Sequence, residues 1–196
     1  MRELVFLLEE PSARAMLDSL LPRLLKDDIH YRLIPFEGKQ DLERQLERRI
    51  RGYQNPNARF IVLRDQDSHP DCRELKAKLL MLCQRSNKGL NCLVRIACRE
   101  LEAFYLADLQ AVGAALGMNS LVAQQGGRKF RSPDNLENPS HELMVLTRNH
   151  YQKVGGSREI GKHLQLENER SASFKSLIAG IRRMAAELAE LPDSWE

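Results

Sequence analysis

Two acids one residue apart close an apolar run in the segment FIVLRDQDSHPDC, residues 60–72, and a third, Asp71, follows shortly after. Asp65 and Asp67 are like charges. Carboxylates about 4 Å apart repel by about 4 kcal/mol at an effective dielectric of about 20, so something must offset them. Protonation of one member, a neighbouring Arg or Lys, or a bound divalent cation would each serve. Glu9 and Glu10 end an earlier apolar run in the same way, and Glu100 and Glu102 follow a later one. Hard oxygen ligands of this kind suit Mg2+ or Mn2+, which take one or two carboxylates, keep several waters and accept substrate phosphates. A simpler account competes, because acids are favoured at helix starts by the macrodipole and strand ends emerge into water.

Placing these acids together requires a particular framework. Residues 3–9 (ELVFLLE) read as a strand feeding a helix over 11–25. IHYRLIPF then precedes the helical GKQDLERQLERRIRGY, RFIVLRD precedes CRELKAKLLMLCQRS, and NCLVRIAC precedes one helix across RELEAFYLADLQAVGAALG. Four successive strand-helix units with near-continuous apolar strands predict an α/β fold. Its mainly parallel four-stranded sheet would carry helices on both faces in Toprim/Rossmann-like layers. In such sheets ligands bind beyond the carboxyl ends of the strands, where all of these acids would arrive.

After residue 118 the pattern changes. QQGGRKFRSPDNLENPS reads as a polar loop, HELMVLTRNHYQKVGG and SREIGKHLQL as short helices, and SASFKSLIAGIRRMAAELAEL as an amphipathic helix capped by Ser171 or Ser173. Residues 1–118 would form the α/β core, and 119–196 a helical extension packed on it within a single domain overall.

Bulk composition narrows the function classes. The chain has 196 residues, 42% apolar and 29% charged, which is enough for a buried core. Its net charge of +3 does not itself imply nucleic-acid binding; the basic patches ERRIRGYQ and GGRKFRS are local. No apolar run approaches the ~20 residues that span a bilayer, and an acidic break interrupts the N-terminal apolar stretch where a signal peptide would continue. No membrane association and a cytoplasmic location are therefore expected. Cys72, Cys83, Cys92 and Cys98 form no C-x-x-C pair and read as reduced thiols, with His69 near Cys72 only a weak metal pair. No G-x-S-x-G elbow follows a strand, and neither EGKQD nor GGSREIGK completes a phosphate-binding P-loop.

A run of blocks in order, LLEEPSARAML, FEGKQDLERQL, VLRDQDSHPDCRELKAKL, ACRELEAFYLADLQAV, HYQKVGG and SASFKSLI, resembles the bacterial family called domain of unknown function 4276. The strand-Glu, strand-Asp-x-Asp order is also similar to the Toprim fold of topoisomerases, primases and OLD-type nucleases, whose acids bind magnesium. The family's first acid falls on Glu9, its D-x-D on Asp65 and Asp67, and its R-E-L-E-A block on Arg99 to Ala103. One departure is EEPSA, where Glu10 replaces a turn glycine and Ala13 a second acid. The resemblance implies a metal-dependent phosphodiesterase, a nuclease acting on DNA or RNA, partnered by an AAA-type ATPase in phage-defence loci. A noncatalytic regulator of such an ATPase is the alternative, and a homo-oligomer is compatible with either. Glu9, Asp65, Asp67, Glu100 and Glu102 would be metal ligands, with Glu9 also the general base. Lys153 would serve the reacting phosphate, and Arg128, Lys129 and Arg131 are candidate contacts to nucleic acid.

Overall fold

The computed structural model describes residues 1–191. Its strands are β1 (Glu3–Leu8), β2 (His30–Pro35), β3 (Ala58–Asp65) and β4 (Cys92–Ala97). Its α-helices are α1 (Pro11–Leu20), α2 (Lys39–Arg51), α3 (Cys72–Arg85), α4 (Glu102–Leu106), α5 (Leu109–Leu116), α6 (Pro139–Leu146), α7 (Lys153–His163) and α8 (Ala172–Ala189). The sheet has the order β2-β1-β3-β4 and every pairing is parallel. This is the layered α/β fold that the four repeated units predict.

Alternation along the strands divides the apolar side chains between two faces. Leu4, Phe6 and Leu8 join Ile61 and Leu63 in a core covered by α1 and by the helices of the second half. Val5 and Leu7 join Phe60 and Val62 beneath Leu42, Leu46 and Ile50 of α2 and Leu75 and Leu79 of α3. The extension contributes Leu143, Ile160, Leu177 and Ile181 to the first of these cores, so it is built into the domain. The last five residues of the expected extension lie outside the described residues.

Three boundaries differ from the sequence expectation, and the first is the helix expected over 11–25, which ends at Leu20 and gives way to a 3-10 turn over Leu21–Arg23 that contains Pro22. The single helix expected over 99–117 is broken between α4 and α5, because Asp108 caps the new helix by accepting the Ala111 N–H at 3.1 Å. Its other carboxylate oxygen accepts the Gln165 N–H at 2.8 Å, tying the break to the segment after α7. The helix expected over 141–156 likewise ends at Leu146. Arg148 and Asn149 there adopt left-handed backbone (φ 50° and 62°), and a new helix starts at Lys153 and runs on through the SREIGKH stretch. At the final helix, Ser171 is the cap, its Oγ accepting the Phe174 N–H at 3.0 Å.

No helix among the described residues is long and apolar enough to cross a membrane. All four cysteines are free thiols.

Candidate active site

The chain runs from β1 outward to β2, then returns to place β3 on the other flank of β1. This reversal lies between β1 and β3, and a parallel sheet opens a crevice at such a point. Glu9 follows β1 and Asp65 ends β3 at that position. The Asp65 N–H donates to Glu9 Oε2 at 3.0 Å, so these two acids, 56 residues apart, share one edge.

Asp67 leaves the strand direction. Its backbone is left-handed (φ 52°), as is that of Arg99 (φ 62°), and the Asp67 N–H donates to the Arg99 carbonyl at 2.7 Å. The Gln66 N–H donates to the Ala97 carbonyl at 2.9 Å. Non-glycine residues adopt this backbone at a cost, and the two turns hold each other in it. Asp67 faces Lys39 on α2, with Nζ 2.9 Å from Oδ2.

Glu102 opens α4 and is 1% exposed. Its carboxylate accepts the Tyr151 hydroxyl at 2.9 Å, and that hydroxyl lies 3.1 Å from Ser157 Oγ. The Tyr151 ring occupies space left by Gly156, where a Cβ would lie 2.5 Å from a ring carbon. Tyr105 packs edge-on to Tyr151, ring centroids 6.0 Å apart; its buried hydroxyl faces Ser157 without a well-formed hydrogen bond. Lys153, at the first turn of α7, places Nζ 2.7 Å from Glu10 Oε2. Glu10 is extended at φ −148°, a backbone that requires no glycine.

The electrostatics follow from this crowding. Burial pushes the Asp65 carboxyl well above the usual range, reinforced by Glu9, Glu102 and Glu10, while the Leu101 N–H opposes the shift. Solvent still touches Asp65, which is half-buried by surface area although protein packs closely around it. Glu9 is raised by burial and then by Asp67, against the Asp65 N–H and Arg64. Glu102 is raised by burial, against backbone hydrogen bonding, Lys153 and Tyr151. For Lys153, burial lowers the pKa, but contact with Glu10 and the fields of Glu102 and Asp65 outweigh it and the net shift is upward.

A family model described as a domain of unknown function (DUF4276) matches residues 8–182. The chain belongs to that family. No curated protein and no solved structure matches it.

In this DUF4276 domain, Glu9, Asp65, Asp67, Glu102 and Lys153 gather at one sheet edge. Glu100 is turned elsewhere: its Oε2 accepts the Ser140 N–H at 2.7 Å and so caps α6. The candidate nucleic-acid contacts are partly engaged within the protein. Lys129 pairs with Glu142, and Arg131 Nε donates to the Gly126 carbonyl at 3.3 Å. A cavity of about 540 Å³ lined by Lys129, Phe130, Glu142 and Arg148 adjoins them and includes none of the sheet-edge acids. His69 Nδ1 accepts the Asp71 N–H at 3.3 Å, so its contact is local.

Sequence reasoning missed two cations at the edge, Arg64 and Lys39. Arg64, only 6% exposed, lies with Nε 3.8 Å from Glu9 and also pairs with Glu43. A charged residue in the apolar run FIVLRD was the available signal. Lys39 bore no mark beyond following Gly38, and Lys153 was expected at the phosphate, not beside Glu10.

Among the described residues no three His, Cys, Asp or Glu side chains converge closely enough to form a ready metal centre. Lys39, Lys153 and Tyr151 each draw one carboxylate aside. The donor chemistry nevertheless fits a hard cation, because Asp65 has no cationic side chain in contact and is crowded by three other acids.

Tyr151→Phe tests the packing beneath the edge. It leaves the buried Glu102 carboxylate without its hydroxyl donor, which costs about 1–3 kcal/mol. Urea denaturation at neutral pH is the measurement, and unchanged stability would remove Tyr151 from the site.

Proposed function

We propose that this protein is a divalent-metal-dependent phosphodiesterase, a nuclease acting on DNA or RNA. The observation that carries the reading is the approach of Glu9 and Asp65 at the reversal of strand order, where burial raises both carboxyls, reinforced at Asp65 by Glu9 and at Glu9 by Asp67. Glu9, Asp65 and Asp67 would hold Mg2+ or Mn2+, with Glu102 a further carboxylate whose charge reaches Asp65. When bound, such an ion polarises a phosphate oxygen and acidifies a water. Glu9, with its raised pKa, is suited to take the proton of the attacking water. Lys153, held charged beside Glu10, would meet the charge that develops on the reacting phosphate. Partnership with an AAA-type ATPase and a role in phage defence rest on the family resemblance alone.

The second reading, a noncatalytic subunit that regulates such an ATPase, is favoured by one observation. Lys39 and Lys153 already neutralise Asp67 and Glu10, so part of the edge is balanced by the protein itself.

Cleavage of labelled single- and double-stranded DNA and RNA should require Mg2+ or Mn2+. Glu9→Gln should slow it by about 100-fold or more, the lower end of the usual contribution of a general base. Cleavage that persists in chelator, or that Glu9→Gln leaves untouched, would exclude the mechanism. No cleavage under any condition, alone or with an ATPase, would favour the regulator.

A further inference from the structure

Any phosphodiester drawn to the acidic edge must be held by positive charge elsewhere, since the carboxylates repel it. The loop bearing Arg128, Lys129 and Arg131 spends part of its charge internally. A different cleft, about 620 Å³ in volume, lies beside the free edge of β4 between α3 and α8. Arg73 and Lys76 of α3 form one wall; Arg95 of β4 and Ser176 of α8 face them. Among the described residues no carboxylate forms an ion pair with Arg73, Lys76 or Arg95.

Arg95 is seated, not loose. Its Nε donates to the Ser176 carbonyl at 2.8 Å and its Nη1 to the Val94 carbonyl at 3.0 Å. Its guanidinium lies over Gly180, where a Cβ would come within 2.9 Å of Nε and Nη2. Burial disfavours its charge and Arg183 adds to this, although Glu187 pairs with Arg183 and the Asp134 carboxylate, bonded to the Ser173 N–H, stands near Cys98; the cationic wall is Arg73, Lys76 and Arg95.

The cleft also leads to the right place. Cys72 and Cys98 stand at one end. The residue after Cys98 is Arg99, whose carbonyl holds the Asp67 N–H. Among the described residues no aromatic ring lines the cleft, so these offer bases nothing to stack on. At about 620 Å³ the cleft matches a short stretch of one strand and is too small to enclose a duplex.

We propose that the cleft between α3, β4 and α8 binds the sugar-phosphate backbone of a single-stranded nucleic acid, without regard to base sequence, and leads it to the carboxylate edge. This rests on the nuclease reading for its direction, but binding is separable from cleavage. An acidic protein segment is the rival occupant, and the adjoining carboxylate edge favours the nucleic acid.

The test uses the full chain carrying Asp65→Asn, in chelator, with a fluorescent oligo(dT) of about 20 nucleotides, long enough to fill a single-strand site. Anisotropy titrations are run over a range of salt concentrations, with and without the added pair Arg73→Ala and Lys76→Ala. Both residues are exposed on α3, so the fold is expected to survive, as circular dichroism would check. The pair should weaken binding tenfold or more and reduce the slope of log K against log salt by about 1.4, two contacts at about 0.7 each. Oligo(dT) should also slow alkylation of Cys72 and Cys98, and the pair should abolish that protection.

Unchanged oligo(dT) affinity in the paired variant overturns the proposal, as does absence of any binding. Tighter binding of poly-glutamate than of oligo(dT) at the same site assigns the cleft to an acidic protein and also overturns it. If oligo(dT) binds as expected but the unmodified chain cuts nothing with any divalent ion, the cleft stands and the nuclease reading falls. If the chain cuts and Arg73→Ala with Lys76→Ala changes neither binding nor cutting, the nuclease reading stands and the cleft falls.

Discussion

Asp65→Asn should melt at a higher temperature than the parent chain at pH 8 in chelator, while losing metal-dependent cleavage by at least about 100-fold. The two effects share one cause. In the folded chain the Asp65 carboxyl is raised well above its ordinary value by burial and by Glu9, Glu102 and Glu10. Between the unfolded pKa, about 3.9, and the folded value, the native state binds more protons than the unfolded state, so stability falls as pH rises. The contribution is complete below about pH 3.9 and is lost as pH climbs through the folded pKa. Asparagine cannot ionise, keeps an oxygen for the Leu101 N–H, and relieves Glu9 and Glu102 of a neighbouring charge.

For a chain of this length each kcal/mol gained raises the midpoint by about 2–4 °C, so the direction of the shift is readable by calorimetry. The advantage should shrink toward pH 4, where both chains carry a neutral group. Manganese should raise the midpoint of the parent chain and not that of the variant, because only the parent presents the full set of carboxylates to the ion. Scanning calorimetry from pH 4 to pH 8 reads all of this. A variant that melts lower at pH 8, or a parent chain whose stability rises with pH across the range, would contradict the electrostatics described for the edge.

Gly161→Val should be the most disruptive single change outside the central sheet. Helices α1 and α7 pack closely at Gly161, where a Cβ would lie 2.6 Å from the Met16 carbonyl oxygen and 3.2 Å from the Met16 Cα. Those are backbone atoms of a buried helix and cannot swing aside. Overpacking of this kind costs about 3 kcal/mol and forces the helices apart. Arg23 would resist, since its guanidinium donates to the carbonyls of Lys162 at 2.9 Å and Leu164 at 2.8 Å at the end of α7. The strain would then pass along α7 to Lys153 at its other end. Urea denaturation should show the lost stability, and cleavage in the surviving folded protein should fall as well. Gly155→Ala is the control: no atom lies within 4 Å of the added Cβ, so it should gain up to about 1 kcal/mol from helix propensity. Equal stability of Gly161→Val and the parent would refute the close approach.

The four strand-helix units were legible because each strand is a compact apolar run and each helix keeps its own period. The meeting of Glu9 with Asp65 was legible for a related reason, since parallel strands deliver their last residues to one edge. Strand order was not, because β1 carries no sequence mark of lying between β2 and β3. Helix breaks were read poorly where a side chain far along the chain decides them. Asp108 stops one helix and starts another while holding Gln165, a contact 57 residues distant. Glu100 shows the same limit: at the sequence level it matches Glu102, yet one caps α6 and the other lies buried under Tyr151. Local density of basic residues does not tell which of them have partners inside the protein. GGRKFRS is the denser cluster, but Glu142 draws off Lys129, whereas Arg73, Lys76 and Arg95 are scattered in sequence and meet across one cleft.

The bond between Lys153 and Glu10 joins residues 143 positions apart. On the ribosome Glu10 therefore emerges long before its counterpart, and a prematurely terminated product lacking the last quarter carries the acids without the lysine. Any reaction that needs both must wait until Lys153 has emerged and its helix has docked beside Glu10.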